Sequence, residues 1–208
     1  MKIYEIFKSI QGEGQQQGEV TIFVRTTGCN FRCNWCDTKY AFKGGEERSV
    51  KEVIDKIQSL DCKNVCVTGG EPLLQPDIGE LIDGLVDAKY NVFIETNGSQ
   101  DIRKFNNKAH YVLDFKLPSS GMYDKFFYPN LNADSIYEIK FVIADNKDYE
   151  IAKNFTKKYK GKAKMLFSPC WGRISKSRLA ELIIKDNLPV RYSLQIHKVI
   201  WSPLKRGV

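Results

Sequence analysis

The stretch Thr26-Thr27-Gly28-Cys29-Asn30-Phe31-Arg32-Cys33-Asn34-Trp35-Cys36-Asp37-Thr38 decides how this chain is read. Its cysteines, spaced C-x3-C-x2-C, supply three thiolates where a 4Fe-4S cluster has four irons, which leaves one iron open to a ligand. A closed structural cluster asks for a fourth cysteine in register, and none follows within the next two dozen residues. A zinc site lacks a fourth ligand nearby. A disulfide leaves one cysteine over.

Outward from this loop, apolar and β-branched runs alternate with amphipathic stretches, the pattern of βα units around a parallel sheet. Strands are expected at Thr21–Thr26, Asn64–Thr68, Asn91–Glu95, Tyr111–Phe115, Tyr137–Ile143 and Ala163–Phe167. Helical periodicity runs over Ser49–Leu60, Pro76–Ala88, Lys147–Tyr159 and Ser175–Lys185, with Ser49 and Glu52 spaced as a capping box. The joining segments Asn97–His110 and Lys116–Ser135 carry Gly, Pro and Ser breakers and little helical period, so these crossovers read as trimmed. A further strand is expected near the end, before the tail Trp201–Val208.

At 208 residues, one domain spanning 1–208 is the expectation, with a short N-terminal extension ahead of the first barrel strand. Charges interrupt Met-Lys-Ile-Tyr-Glu-Ile-Phe-Lys, so no signal peptide is expected, and no long uncharged run fits a membrane span. The cytoplasm is the expected compartment, because a low-potential cluster needs reducing surroundings. The net charge of +7 is spread over helical segments such as Thr156–Lys164 and forms no block interleaved with aromatics. That argues against a nucleic-acid partner and for a solvated face able to attract an anionic substrate or an acidic electron donor.

The cysteine spacing, with aromatic Trp35 just before the last cysteine, resembles the cluster motif of radical S-adenosylmethionine (SAM) enzymes, in which SAM chelates the fourth iron. The implied fold is α/β, a partial (β6/α) TIM-like barrel with trimmed helical crossovers and its chemistry at the C-terminal ends of the strands. Taken alone, Gly69-Gly70 is a tight βα turn; within Thr68-Gly69-Gly70-Glu71-Pro72 it resembles the segment that contacts the methionine part of SAM. The resemblance assigns to SAM Trp35, Cys36, Asp37, Gly70, Asn97, Asp114, Phe115, Lys116 and Ser168. Trp171, just beyond Ser168, is a candidate to pack on the adenine.

Gln11-Gly12-Glu13-Gly14, Phe23-Val24-Arg25, Cys36-Asp37-Thr38 and Ser193-Leu194-Gln195-Ile196-His197-Lys198 together resemble one radical SAM family, the 7-carboxy-7-deazaguanine synthases of queuosine and 7-deazapurine biosynthesis. The resemblance covers essentially the whole chain. It implies a lyase that converts 6-carboxy-5,6,7,8-tetrahydropterin into 7-carboxy-7-deazaguanine with release of ammonia, SAM being regenerated. The substrate positions carried over are Ile10, Gln11, Gly12, Glu13, Arg25, Thr68, His197 and the carboxylate of Val208. Cys29, Cys33 and Cys36 would ligate the 4Fe-4S cluster, and Thr38 a magnesium ion, a hard cation suited to bridging hydroxyl and carboxylate oxygens. Where many members read Ser-Pro-Lys this chain reads Asp114-Phe115-Lys116, so the backbone role carries over more securely than the side chain of Asp114. A homodimer and an electron donor such as flavodoxin complete what the family implies.

Two rivals stay open at this level. A glycyl-radical-enzyme activase shares the cluster loop but acts on a protein, and the Gln-Gly-Glu-Gly, Cys-Asp-Thr and Gln-x-His-Lys segments disfavour it. A non-catalytic iron-sulfur or zinc module would cleave no SAM. The remaining cysteines, Cys62, Cys66 and Cys170, are read as ordinary small apolar residues.

Overall fold

All six apolar runs expected as barrel strands form, each within two residues of its expected ends, in a computed structural model that describes residues 1–208. They are β2 (Val20–Thr26), β4 (Asn64–Gly69), β5 (Asn91–Thr96), β6 (His110–Asp114), β7 (Ile136–Ile143) and β8 (Lys164–Pro169). These run parallel, and the edges add β1 (Lys2–Ile10), β3 (Glu46–Glu47) and β9 (Arg191–Tyr192), giving the order β3-β1-β2-β4-β5-β6-β7-β8-β9. The N-terminal segment expected as an extension is a strand, β1, antiparallel to β2 with a bulge between Ile3 and Glu5.

Helices α1 (Val50–Gln58), α2 (Ile78–Asp87), α3 (Asn146–Lys158) and α4 (Lys176–Lys185) occupy the expected crossovers. Ser49 and Glu52 close the capping box on α1, and Asp145 and Ser175 accept the N3 amides of α3 and α4. The β5–β6 and β6–β7 connections hold only short 3₁₀ turns, as the breakers required. The expected terminal strand forms as the two-residue β9, and the segment between it and the tail holds a helical turn, α5 (His197–Ile200). The backbone there has other partners, since Ile196 N donates to Gly12 O and Trp201 N to His197 O. No helix is long and apolar enough to cross a membrane.

Strand period sorts the side chains into two faces. Ile22, Val24, Val65, Val67, Val92, Ile94, Tyr111, Leu113, Ile139, Phe141, Met165 and Phe167 join one buried apolar cluster with Val53, Ile57, Leu81, Ile82, Leu85, Tyr149 and Leu179 of the helices. Fully burying a side chain such as Ile94 or Leu113 stabilises by roughly 1.5–3 kcal/mol, so this outer face drives the packing. The intervening residues fall on the opposite face. Near the C-terminal strand ends they form a polar rung: Arg25, Thr68, Glu95, Asp114, Lys140 and Ser168.

The sheet curls around that rung. The arm after β1 reaches the far edge, where Gly14 N donates to Ser193 Oγ at 3.3 Å and Gln17 Nε2 to Leu194 O at 2.6 Å. An open barrel with its two edges bridged by the 11–17 arm is the result.

Candidate active site

The cysteine loop leaves β2 at Thr26 and lies over the ends of β4 and β5. Gly70 fixes this approach, because a Cβ there would stand 1.9 Å from Gly28 O and 2.9 Å from Cys29 Cβ. The next residue ties the same layers. Glu71 N donates to Gly28 O at 2.8 Å, while its fully buried carboxylate accepts from Thr96 Oγ1 and Asn97 N, both at 2.7 Å, and from Leu73 N at 3.1 Å. Burial pushes this carboxyl up to about 7 despite those donors.

The thiols suit a cluster. Cys29, Cys33 and Cys36 are free thiols on one loop, Cys33 buried and the other two half-buried. Burial raises Cys29 and Cys36 and pushes Cys33 up to about 11, with the Lys116 ammonium opposing each rise. As thiols they hold protons near neutrality, which cluster binding displaces. Asn97 Nδ2 stands 3.8 Å from Cys29 Sγ. Cys62, Cys66 and Cys170 lie elsewhere: Cys62 donates to Val20 O, Cys66 is sealed inside β4, and Cys170 follows β8.

Several residues expected to hold SAM are brought together beside this loop. Lys116 Nζ lies 5.1 Å from the Trp35 ring centroid and 2.7 Å from Asp114 Oδ2, while Trp35 Nε1 donates to Ser119 Oγ at 3.1 Å. Asp114 Oδ1 and Ser168 Oγ are buried with no hydrogen-bond partner, the mark of atoms waiting for a ligand's polar groups. At Phe115 the side chain turns away from the loop. Its ring is 2 % exposed and packs against Phe126, Phe141 and Phe155, so it is a core residue and only its backbone can reach the site. Trp171 is partly exposed and lines a cavity of about 670 Å³ with Cys170, Leu194, Gln195 and Val199; Lys176 Nζ sits 4.7 Å over its ring.

The residues expected to hold substrate converge on the other side of the rung. Ile10 ends β1 opposite Val20. A Cβ on Gly12 would meet His197 Nδ1 at 2.1 Å, which shows how closely the imidazole lies over this arm. Burial lowers the His197 pKa from the ordinary imidazole value, against the pull of Glu13. Glu95 joins Gln11 to Thr68, accepting from Gln11 Nε2 at 3.3 Å and Thr68 Oγ1 at 2.9 Å. Arg25 Nε donates to Glu5 at 2.7 Å, and the tail folds back here, with Arg206 4.3 Å over Tyr40 and Gly207 beside Glu5. Val208 is half-buried. Thr38 Oγ1 donates to Asp37 Oδ1 at 3.0 Å, and Lys198 Nζ pairs with Asp37 Oδ2 at 2.5 Å.

Sequence reasoning missed five members of this arrangement. Glu71 had been quoted only as part of a glycine turn, and Lys198 only as the end of a motif. Glu95 and Lys140 share the inward face of their strands, a signal that period-2 reading of Asn91–Thr96 and Ile136–Ile143 contains. Glu138, on the same face as Lys140, accepts from Gln15 N at 3.1 Å and helps hold the arm.

Comparison with known proteins agrees with this geometry. The radical SAM superfamily model matches residues 23–162. The 7-carboxy-7-deazaguanine synthase of Koribacter versatilis is 38 % identical over 226 aligned positions, covering 100 % of both chains. That of Thermoplasma acidophilum is 40 % identical over 205, covering 97 % of this chain and 98 % of the relative. Among solved structures, QueE from Escherichia coli superposes with a TM-score of 0.77 at 26 % identity, covering 93 % of this chain and 92 % of that one. SuiB of Streptococcus suis, solved with S-adenosylmethionine, gives 0.55 at 13 % identity over 81 % of this chain and 48 % of its own, a likeness of fold alone.

Proposed function

Because the chain belongs to the 7-carboxy-7-deazaguanine synthases of the radical SAM superfamily, we propose that it contracts 6-carboxy-5,6,7,8-tetrahydropterin to 7-carboxy-7-deazaguanine with release of ammonia. The observation that carries this reading is the single inward face that gathers both halves of the chemistry. The cysteine loop with Gly70, Asn97 and Asp114 stands at one side, and the Gln11–Gly14 arm with His197, Arg25 and Thr68 at the other. Cys29, Cys33 and Cys36 hold the 4Fe-4S cluster. The bound cluster and SAM together supply, on receipt of one electron, a carbon radical able to take hydrogen from C6 of the pterin.

The chain's own residues bind, orient and exclude water. Gly70 offers backbone to the methionine part of SAM, and the unpartnered Asp114 Oδ1 and Ser168 Oγ take up its polar groups. Trp35 and Lys116 pack together at its flank, and Asp37 lines the loop beyond Cys36. Arg25, fixed through Nε by Glu5, presents the rest of its planar fork to the pterin ring or carboxylate. Gln11, Gly12, Glu13, Thr68 and His197 complete the pterin's surroundings, with the folded-back Val208 at its edge. Thr38 would hold magnesium through its hydroxyl oxygen, and this hard cation would supply charge for the substrate carboxylate.

In this reading the enzyme works as a homodimer in the cytoplasm, reduced by a flavodoxin-type donor; all six cysteines are free thiols. Incubating anaerobically reconstituted protein with SAM, a reductant, magnesium and the carboxytetrahydropterin tests the proposal by mass spectrometry. Appearance of 7-carboxy-7-deazaguanine and ammonia is expected. SAM cleavage with the pterin unaltered would favour the activase reading instead.

A further inference from the structure

Lys140 stands in the middle of β7 with core residues Ile139 and Phe141 on either side, yet its ammonium is turned to the inward face and is 11 % exposed. Burying an ammonium is unfavourable unless it is paired. Its partners come from two distant parts of the chain. Glu13 Oε2, on the arm after β1, accepts from it at 2.6 Å; Asp114 Oδ2, at the end of β6, lies at 3.7 Å.

Those two carboxylates belong to opposite halves of the site. Asp114 shares its Oδ2 with Lys116, which lies over Trp35 of the cysteine loop. Glu13 Oε1 accepts from Gln195 at 2.9 Å; Gln195 Oε1 accepts from Lys198, also at 2.9 Å, and Lys198 pairs with Asp37 beside Cys36. The contacts thus run from the cysteine loop through Lys116, Asp114, Lys140, Glu13, Gln195 and Lys198 back to the loop, and Lys140 joins the two halves. Glu95 adds a further negative charge facing it, and together these hold Lys140 protonated against burial. Glu13 is in turn held down at about 2: burial, the largest single effect, raises it, and Lys140, His197 and Gln195 together more than offset that rise.

We propose that Lys140 is a positioning residue that locks the pterin-holding arm to the SAM-side carboxylate Asp114 and so sets the register between the two ligands. This rests on the two-ligand reading of the inward face. Hydrogen transfer needs the reacting atoms held at about 3–3.5 Å, and a misplacement of about 1 Å costs roughly 10²-fold. Lys140 spans two carboxylates, one from each half.

Lys140→Met, Lys140→Arg, Glu13→Gln and the double variant K140M/E13Q are compared with wild type. The readouts are the Kd of 6-carboxypterin, followed by its fluorescence, and the ratio of 7-carboxy-7-deazaguanine formed to 5′-deoxyadenosine released. K140M is expected to weaken 6-carboxypterin and to lower the ratio, each by about tenfold or more. The double variant should be no worse than K140M, because the two residues act as one unit. Lys140→Arg, which keeps the charge, should recover most of the ratio. An unchanged ratio and Kd in K140M, equal proportional losses of product and 5′-deoxyadenosine, or penalties that add in the double variant would each overturn the proposal. Should K140M fail to fold, Lys140→Gln, which removes the charge but keeps a polar side chain, decides by the same two readouts. A wild type that forms no product overturns the reading of the site, whereas a productive wild type with insensitive variants overturns this inference alone.

Discussion

Gly70→Ala tests the close approach on which the cysteine loop depends. The added Cβ would fall 1.9 Å from Gly28 O, 2.5 Å from Gly28 C and 2.9 Å from Cys29 Cβ, all atoms that no rotamer can swing aside. Ordinary contact begins at 3.4 Å, so the loop must retreat by about 1.5 Å, enough by the positioning rule to cost more than about 10²-fold in rate. The retreat also breaks the 2.8 Å bond from Glu71 N to Gly28 O, worth about 1 kcal/mol, and adds overpacking of about 1–3 kcal/mol. A stability loss of about 2–4 kcal/mol by urea unfolding is therefore expected, with reduced iron per chain after anaerobic reconstitution and SAM cleavage near background. Gly79→Ala is the control: its Cβ meets only Phe105 at 3.8 Å within α2, so iron content should hold and stability rise by up to about 1 kcal/mol. Wild-type iron content and cleavage in Gly70→Ala would refute the reasoning.

Cys29→Ala, Cys33→Ala and Cys36→Ala should each abolish SAM cleavage, whereas Cys62→Ala, Cys66→Ala and Cys170→Ala should keep the iron content of the wild type; near-native turnover in any of the first three would remove the cluster assignment. Thr38→Ala should blunt the dependence of turnover on magnesium, and superimposable titrations would show that Thr38 is only a turn hydroxyl. Glu71 carries a pH prediction. Its folded pKa of about 7 lies above the ordinary 4.5, so between those values the native state holds a proton that the unfolded chain has released. Its contribution to stability is full below pH 4.5 and is lost as pH rises through 7, a loss of at most about 3 kcal/mol. Glu71→Gln should flatten that limb of the stability profile, and a profile parallel to wild type would count against it.

How far the sequence reaches is clearest at particular residues. The cysteine loop and the Gly69-Gly70 turn are local patterns, and the structure places them together because β2 and β4 are neighbours in a parallel sheet. Strand and helix positions follow from period and caps, as at Ser49, since both depend on contacts a few residues apart. The direction of the Phe115 side chain is not legible in sequence, because an aromatic after a strand looks the same whether it turns to ligand or core; only the packing of α3 and the 3₁₀ turns over β6 and β7 decides. Lys140 and Glu13 are 127 positions apart, and their pairing exists only because the sheet curls and the arm crosses it. The terminal strand is short for a related reason: after β9 the backbone finds its partner on Gly12, at Ile196, and not on the sheet edge.

The central claim is that one inward face holds C6 of the pterin against the carbon radical supplied by SAM, and the most direct measurement follows the hydrogen. Carboxytetrahydropterin carrying deuterium at C6 is turned over by the reconstituted enzyme, and SAM is recovered and weighed by mass spectrometry. The account predicts deuterium in the recovered SAM in step with 7-carboxy-7-deazaguanine formed. Product formation with the deuterium retained in the product or lost to water, and none in SAM, would contradict it.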